Sequence, residues 1–225
     1  NLFLSLTILL YFFYGYFQNE NSAGAGGYDG DFKLIWDNLI LLKQGIISNL
    51  DNPLYNDSRP PLSYIIHILF NPFTFNQEVF RFSNLIISLV IPFLLYFSIK
   101  QNYPSLDKNV IFFLALIVTL SPYFRTTAFW ALGENYGLIF LIWSFLKYKK
   151  FEKNFHKLKN YELFSNIFVI CLLSSIVVYF DQKLVFLLFL VLTLILNLKI
   201  KSLFKFYSII LYFIFSLPYF YLIYL

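Results

Sequence analysis

Seven long apolar runs, none with more than one charged residue, divide this sequence almost from end to end. They are Leu2–Phe17, Val79–Ile99, Asn109–Tyr123, Thr127–Leu146, Leu163–Phe180, Leu184–Leu198 and Phe206–Leu225. Several approach or exceed the roughly 18 residues that cross a bilayer core as a helix. They are apolar without a break, which argues against the period-two alternation of a membrane β-barrel. Charged residues make up 13% of the chain, against roughly 25% in a soluble domain, so there are too few to coat a surface with water. The mean hydropathy is +0.68. The expected fold is an all-α polytopic membrane protein, one module over residues 1–225 with about seven transmembrane helices. Leu62–Phe73 is apolar but short and is stopped by Pro72, which suits an interfacial or re-entrant helix. The chain contains no methionine and ends inside "YSIILYFIFSLPYFYLIYL", so we expect it to be the N-terminal part of a larger protein. Cys171 is the single cysteine, which leaves no disulfide framework and no cysteine-based metal site.

Charge sets the orientation. The stretch at residues 147–162, "KYKKFEKNFHKLKNYE", carries six lysines and is cytoplasmic by the positive-inside rule. Alternating from there, eleven of the 17 basic residues fall inside and nine of the 12 acids outside. "GGYDGDF", "DSRPPLSY", "SPYFRTTAFWALGENYG" and "FDQK" then share the outer face, as a membrane-surface active site would require. The lysine-rich stretch calls for no nucleic acid; attraction to anionic lipid headgroups accounts for it.

Residues 18–78 form the first outer loop, too long for a simple connection. From Asp31, the spacing of Phe32, Ile35, Trp36, Leu39, Leu42 and Ile46 predicts an amphipathic interfacial helix, with Trp36 at headgroup depth. Lys33, Asp37, Asn38 and Gln44 take its other side. Asp31 stands at the N-cap position and Gly45 where the helix can end. Asp29 precedes the helix and is freed by "AGAGG". The plainer reading is that both acids cap, that Arg59 snorkels, and that Pro60 and Pro61 open the next helix.

The order of these features resembles a known family. It runs from an outer-loop acid through an amphipathic helix to "NPLY", then a basic residue with "PPLSY", a short apolar helix and "EVFRFSNLI". This is similar to the bacterial relatives of protein O-mannosyltransferases (glycosyltransferase family 39-like), including the lipid A aminoarabinose transferases. These are membrane glycosyltransferases of the GT-C architecture that use polyprenyl-phosphate sugars. The resemblance covers roughly residues 2–146. It implies that Asp29 is the catalytic or site-organising acid and that Arg59 binds the lipid phosphate. Glu78 and Arg81 match the family's acid and arginine at the second span. This chain reads Asp29-Gly30-Asp31 where the family often has Asp-Glu, so either carboxylate is a candidate. Glu134 stands nearest to the family's acid between the third and fourth spans.

Such a transfer needs a base for the acceptor hydroxyl and cations for the departing phosphate. Asp29 or Asp31 would be the base and Arg59 the phosphate ligand, with Arg81 or Arg125 as a second cation. Glu134 is a further acid for acceptor orientation or a divalent ion. Asp181, Lys183 and Tyr64 are candidate cavity residues, whereas His67 and His156 read as structural and solvated. No cofactor is specified. The implied partners are the polyprenyl-phosphate donor and membrane lipids. The implied location is the bacterial inner membrane, multi-pass, with the active site facing the periplasm. A transporter or flippase, for which mid-span charges and paired broken helices would speak, is the first rival. A non-catalytic envelope polysaccharide assembly protein is the second, and the oligosaccharide polymerases and ligases are a related enzyme class.

Overall fold

The computed structural model describes residues 2–223 apart from Ala25 and Ser58, with side chains through Tyr219. Every regular element among the described residues is helical. Two compact units form: Asn1–Ser58 with Leu62–Asn135, and Arg59–Pro61 with Tyr136–Leu225.

In the first unit, α1 (Leu2–Phe17) ends in a Schellman motif. Asn19 takes the left-handed conformation, φ 53°. Its N–H donates to Tyr16 O at 3.1 Å and the Glu20 N–H to Gly15 O at 2.9 Å, satisfying carbonyls that the helix end leaves open. A π-helical turn, Tyr28–Phe32, leads into α2 (Lys33–Lys43). The buried face of α2 is Ile35, Asn38, Leu39 and Leu42. That face packs on α4 (Leu62–Phe70), while Trp36 is half-buried against Phe80, with ring centroids 5.7 Å apart. The expected apolar face therefore exists but is taken up by protein, and Asn38, expected on the polar side, lies within it. A single turn, α3 (Ile46–Asn49), follows Gly45.

Among the described residues three helices are long and apolar enough to cross a membrane, Gln77–Asn102, Asn160–Tyr179 and Ser202–Tyr219, and a bent pair would make four. The first comprises α5 (Gln77–Ser88) and α6 (Val90–Asn102), capped by the Asn76 side chain. The bent pair falls on the expected crossing at Asn109–Tyr123. There α7 (Lys108–Leu116) passes through a 3-10 turn into α8 (Pro122–Phe129), bent by 72°. Pro122 lacks the N–H that would continue the ladder and instead opens α8 behind a Ser121 cap. The expected crossing at Thr127–Leu146 is also interrupted. Ala131 turns left-handed, φ 57°, and α9 then runs from Glu134 to Asn154, well into the lysine-rich stretch expected to be a loop.

In the second unit α9 is joined by α10 (Asn160–Ser175), α11 (Val185–Asn197) and α12 (Ser202–Ile223). The core includes Tyr148, Phe151, Ile167, Ile170, Val191 and Tyr212. Pro218 lies inside α12. The Tyr179 hydroxyl donates to Phe215 O at 2.6 Å and accepts from the Tyr219 N–H at 3.1 Å. One phenol is thus inserted into the helix ladder beside the proline, a recognised cause of helix bending. At 16 and 13 residues, α1 and α11 rise about 24 and 20 Å, short of a hydrocarbon core of about 30 Å. Both still expose large apolar side chains: Phe3, Leu10 and Phe186 are at least 70% accessible.

Candidate functional site

The second apolar run is more polar than it reads. Arg81, Asn84 and Ser88 fall at three- and four-residue spacing and form one buried stripe on α5. The Asn84 amide donates to Ala128 O at 3.3 Å, and Ser88 accepts from Asn135 at 3.0 Å. The stripe thus holds α8 and the start of α9 against α5. Arg81, only 3% exposed, donates to Tyr16 O at 3.1 Å and to Asn19 Oδ1 at 2.6 Å, and meets Glu78 at 3.4 Å. Its guanidinium lies over the rings of Tyr16 and Trp130, 4.4 and 4.8 Å from their centroids. A cation against the carbonyl end of α1 is favourable, because that end carries the negative pole of the helix dipole.

Arg125 performs a parallel task. It is 2% exposed and engages the Glu20 carboxylate with two nitrogens, Nε at 3.0 Å from Oε1 and a terminal nitrogen against Oε2. It also donates to Tyr11 O at 3.5 Å and stacks over Tyr11 at 4.3 Å. Burial alone would push the Glu20 carboxyl up; hydrogen bonds from Arg125 and Ser22, together with the Arg125 charge, hold it below its usual value. A Cβ at Gly15 would overlap this ion pair, so the glycine is what lets the arginine reach it.

The two acids of "YDGDF" separate. Asp31 Oδ2 accepts from the Gly26 N–H at 2.7 Å and closes the loop, so it does not cap α2, which starts from Phe32 without a side-chain cap. The π-turn supplies the geometric reason: the Phe32 N–H already reaches Gly27 O at 3.0 Å. Asp29 is exposed. The turn that carries it is fixed by the Tyr28 hydroxyl, which donates to Gln77 Oε1 at 2.7 Å. Tyr28 also meets Trp130 edge-on at 6.4 Å. The Asp29 turn is therefore tied to the end of α5 that bears Glu78 and Arg81. A pocket of about 510 Å³ opens there, walled by Tyr16, Asn19, Glu78, Val79, Arg81 and Phe82. The Glu78 carboxylate faces outward, 62% exposed.

Glu134 is buried, 1% exposed, at the start of α9. Among the described residues no three His, Cys, Asp or Glu side chains come together, so the divalent-ion role expected for Glu134 finds no ligand set there. Tyr64 is buried on α4 and its hydroxyl donates to Asp57, a bond that accounts for this tyrosine locally. His67, on the same helix, lies edge-on to Phe80 at 4.7 Å and contacts Asn71 through Nδ1 at 3.0 Å. Burial depresses its pKa from 6.5 to about 4. The unfolded chain therefore binds more protons than the folded one between these values. Stability should fall as pH drops from 6.5 towards 4, by about 3 kcal/mol at most. Thermal unfolding at stepped pH checks this: His67→Gln should flatten the curve in that window, and an unchanged curve would contradict it.

In the second unit, Arg59 Nε lies 3.9 Å and Lys183 Nζ 4.0 Å from Oδ2 of Asp181. Asp181 is 1% exposed, and its other oxygen accepts from the Lys183 N–H at 2.6 Å. Arg59 thus lies against a buried carboxylate, at ion-pair rather than hydrogen-bond distance. Asp29, Asp31, Tyr64, Arg81, Arg125 and Glu134 belong to the first unit, and Arg59, Asp181 and Lys183 to the second. Sequence reasoning missed Asn84, Ser88 and Glu20. The spacing in "RFSNLIIS" signals the first two; nothing local signals Glu20, which is 105 residues from its partner.

No family model matches the chain, and no curated protein and no solved structure is significantly similar to it.

Proposed function

We propose that this chain is the membrane-embedded part of a glycosyltransferase. The enzyme moves a sugar from a polyprenyl-phosphate donor to a protein, lipid or glycan acceptor. In this reading about seven helices of a GT-C-like bundle lie in the bacterial inner membrane and the reaction takes place at the periplasmic face. The observation that carries it is the Asp29 turn, docked through Tyr28 on the end of α5 beside the Glu78–Arg81 pocket. It presents an exposed carboxylate on a fixed backbone at the end of an apolar helix. A base for an incoming hydroxyl requires that arrangement.

Most of the other charged candidates have structural work: Asp31 closes a loop, Arg125 holds Glu20, and Arg81 holds the end of α1. Asp29 is then the base. It takes the acceptor proton as the hydroxyl oxygen bonds to the anomeric carbon and the bond from that carbon to the phosphate oxygen breaks. The resemblance gives Arg59 the charge of the departing phosphate; within its own unit it lies 3.9 Å from Asp181. The transporter reading gains something from the buried Arg81–Asn84–Ser88 stripe, but these groups are spent on α1 and α8.

The test follows a labelled polyprenyl-phosphate sugar by mass spectrometry in membranes carrying the full-length gene product. Arg59→Ala should raise the donor concentration needed for half-maximal breakdown roughly tenfold or more, the loss of one charge-assisted contact. Unchanged donor dependence would remove Arg59 from the site. A donor that crosses the bilayer intact would favour the transporter.

A further inference from the structure

A second polar pocket, remote in sequence from the residues above, lies where α9 meets α10. It has a volume of about 400 Å³ and is lined by Lys147, Lys150, Asn154, Lys157 and Asn166 over Phe151. Residues 147, 150, 151 and 154 repeat at three- and four-residue spacing, the pattern of a helix face that normally meets a core. Phe151 does so and is 2% exposed. Its lysine neighbours on that face open into the pocket instead.

The nearby acids are engaged elsewhere. Glu152 pairs with Lys149 at 2.8 Å and accepts from the Tyr148 hydroxyl at 2.9 Å. Glu162 accepts from the Lys159 N–H at 2.7 Å. The ammonium of Lys149 and the carboxylates of Glu152 and Glu162 therefore leave the pocket's charge standing. Among the described residues no carboxylate pairs with Lys147, Lys150 or Lys157. Three like charges around one cavity repel, and an anion that enters removes that cost.

We propose that this pocket binds a phosphate group, and that its source is the headgroup of an anionic membrane lipid. A phosphate offers several oxygens to ammonium and amide donors at once. The pocket adjoins the start of α10, which begins the apolar helix Asn160–Tyr179, so it lies at headgroup depth if that helix crosses the bilayer. Phe151 and Leu158 add an apolar wall for the glycerol portion. The lipid source rests on the membrane reading; the phosphate site does not.

The experiment uses the full-length gene product in phosphatidylcholine nanodiscs doped with phosphatidic acid. Native mass spectrometry counts retained lipid, and carbonate extraction separately reports insertion. Lys147→Gln/Lys150→Gln/Lys157→Gln should lower retention about tenfold or more, given the strength of a lysine near an anionic surface. Lys153→Gln/Lys159→Gln/Lys201→Gln, with the same charge change outside the pocket, should lower it less than about twofold, and the pocket Lys→Arg triple should restore it. In pure phosphatidylcholine, protection of the three lysines from acetylation by inorganic phosphate alone would retain the phosphate site but assign it a soluble source. Equal loss in both Gln triples means a diffuse field without a site. That result, or no retention and no protection, overturns the proposal.

Discussion

Donor breakdown should fall about 10²–10⁴-fold in Asp29→Asn, the range lost when a general base is removed, while the protein inserts and folds normally. The expectation rests on exposure: the Asp29 side chain stands free of the bonds that define its turn, which run through Gly26, Gly27, Tyr28 and Asp31. Asp31→Asn should behave in the opposite sense. It weakens the carboxylate's bond to the Gly26 N–H and lowers stability by about 1 kcal/mol, with turnover inside about tenfold. Initial rates and thermal unfolding of the two variants, measured side by side, separate the roles. If Asp31→Asn is the silent enzyme and Asp29→Asn the active one, the assignment is reversed.

The second large effect concerns stability. Glu20→Gln leaves Arg125 buried with half of its charge-assisted bonding gone, and the fold should lose about 2–4 kcal/mol. This is set somewhat below the usual 3–5 for a broken buried pair because Glu20 itself keeps 29% of its side-chain surface. Gly15→Ala should act on the same pair by displacing it and should destabilise comparably. The pH dependence follows from the sign of the Glu20 shift. Its carboxyl is held below the ordinary glutamate value, so the contribution is complete above that value and is lost as pH falls through the lower folded one. This loss lies at more acid pH than the His67 step, and Glu20→Gln should remove it without altering the other. Chemical or thermal unfolding of the reconstituted protein reads both. A Glu20→Gln variant as stable as the parent would show that the pair contributes nothing.

Much of the helical architecture is legible in the sequence because it depends on local composition. Apolar runs give Gln77–Asn102 and Asn160–Tyr179 to within a few residues. The misreadings have physical causes. Lysines at 147–153 read as a loop, but Tyr148 and Phe151 continue the apolar face of α9 into the core, and packing outweighs surface charge there. Asp31 reads as a cap because an Asp before an apolar helix usually is one; the π-turn moves the helix start one residue on. The contacts of Arg81 and Arg125 with α1 and the turn after it are not legible because these partners lie 62 to 114 residues away. A single sequence carries no sign of such pairings. The sequence offers Asp29 and Asp31 alike; the fold leaves Asp29 exposed and ties Asp31 into a loop.

The most direct measurement incubates the purified full-length gene product, in vesicles, with a panel of labelled polyprenyl-phosphate sugars and follows release of polyprenyl phosphate. Release is expected from at least one donor and should be about 10²–10⁴-fold slower in Asp29→Asn. Intact donors across the whole panel, with protein shown to be inserted and folded, would contradict it.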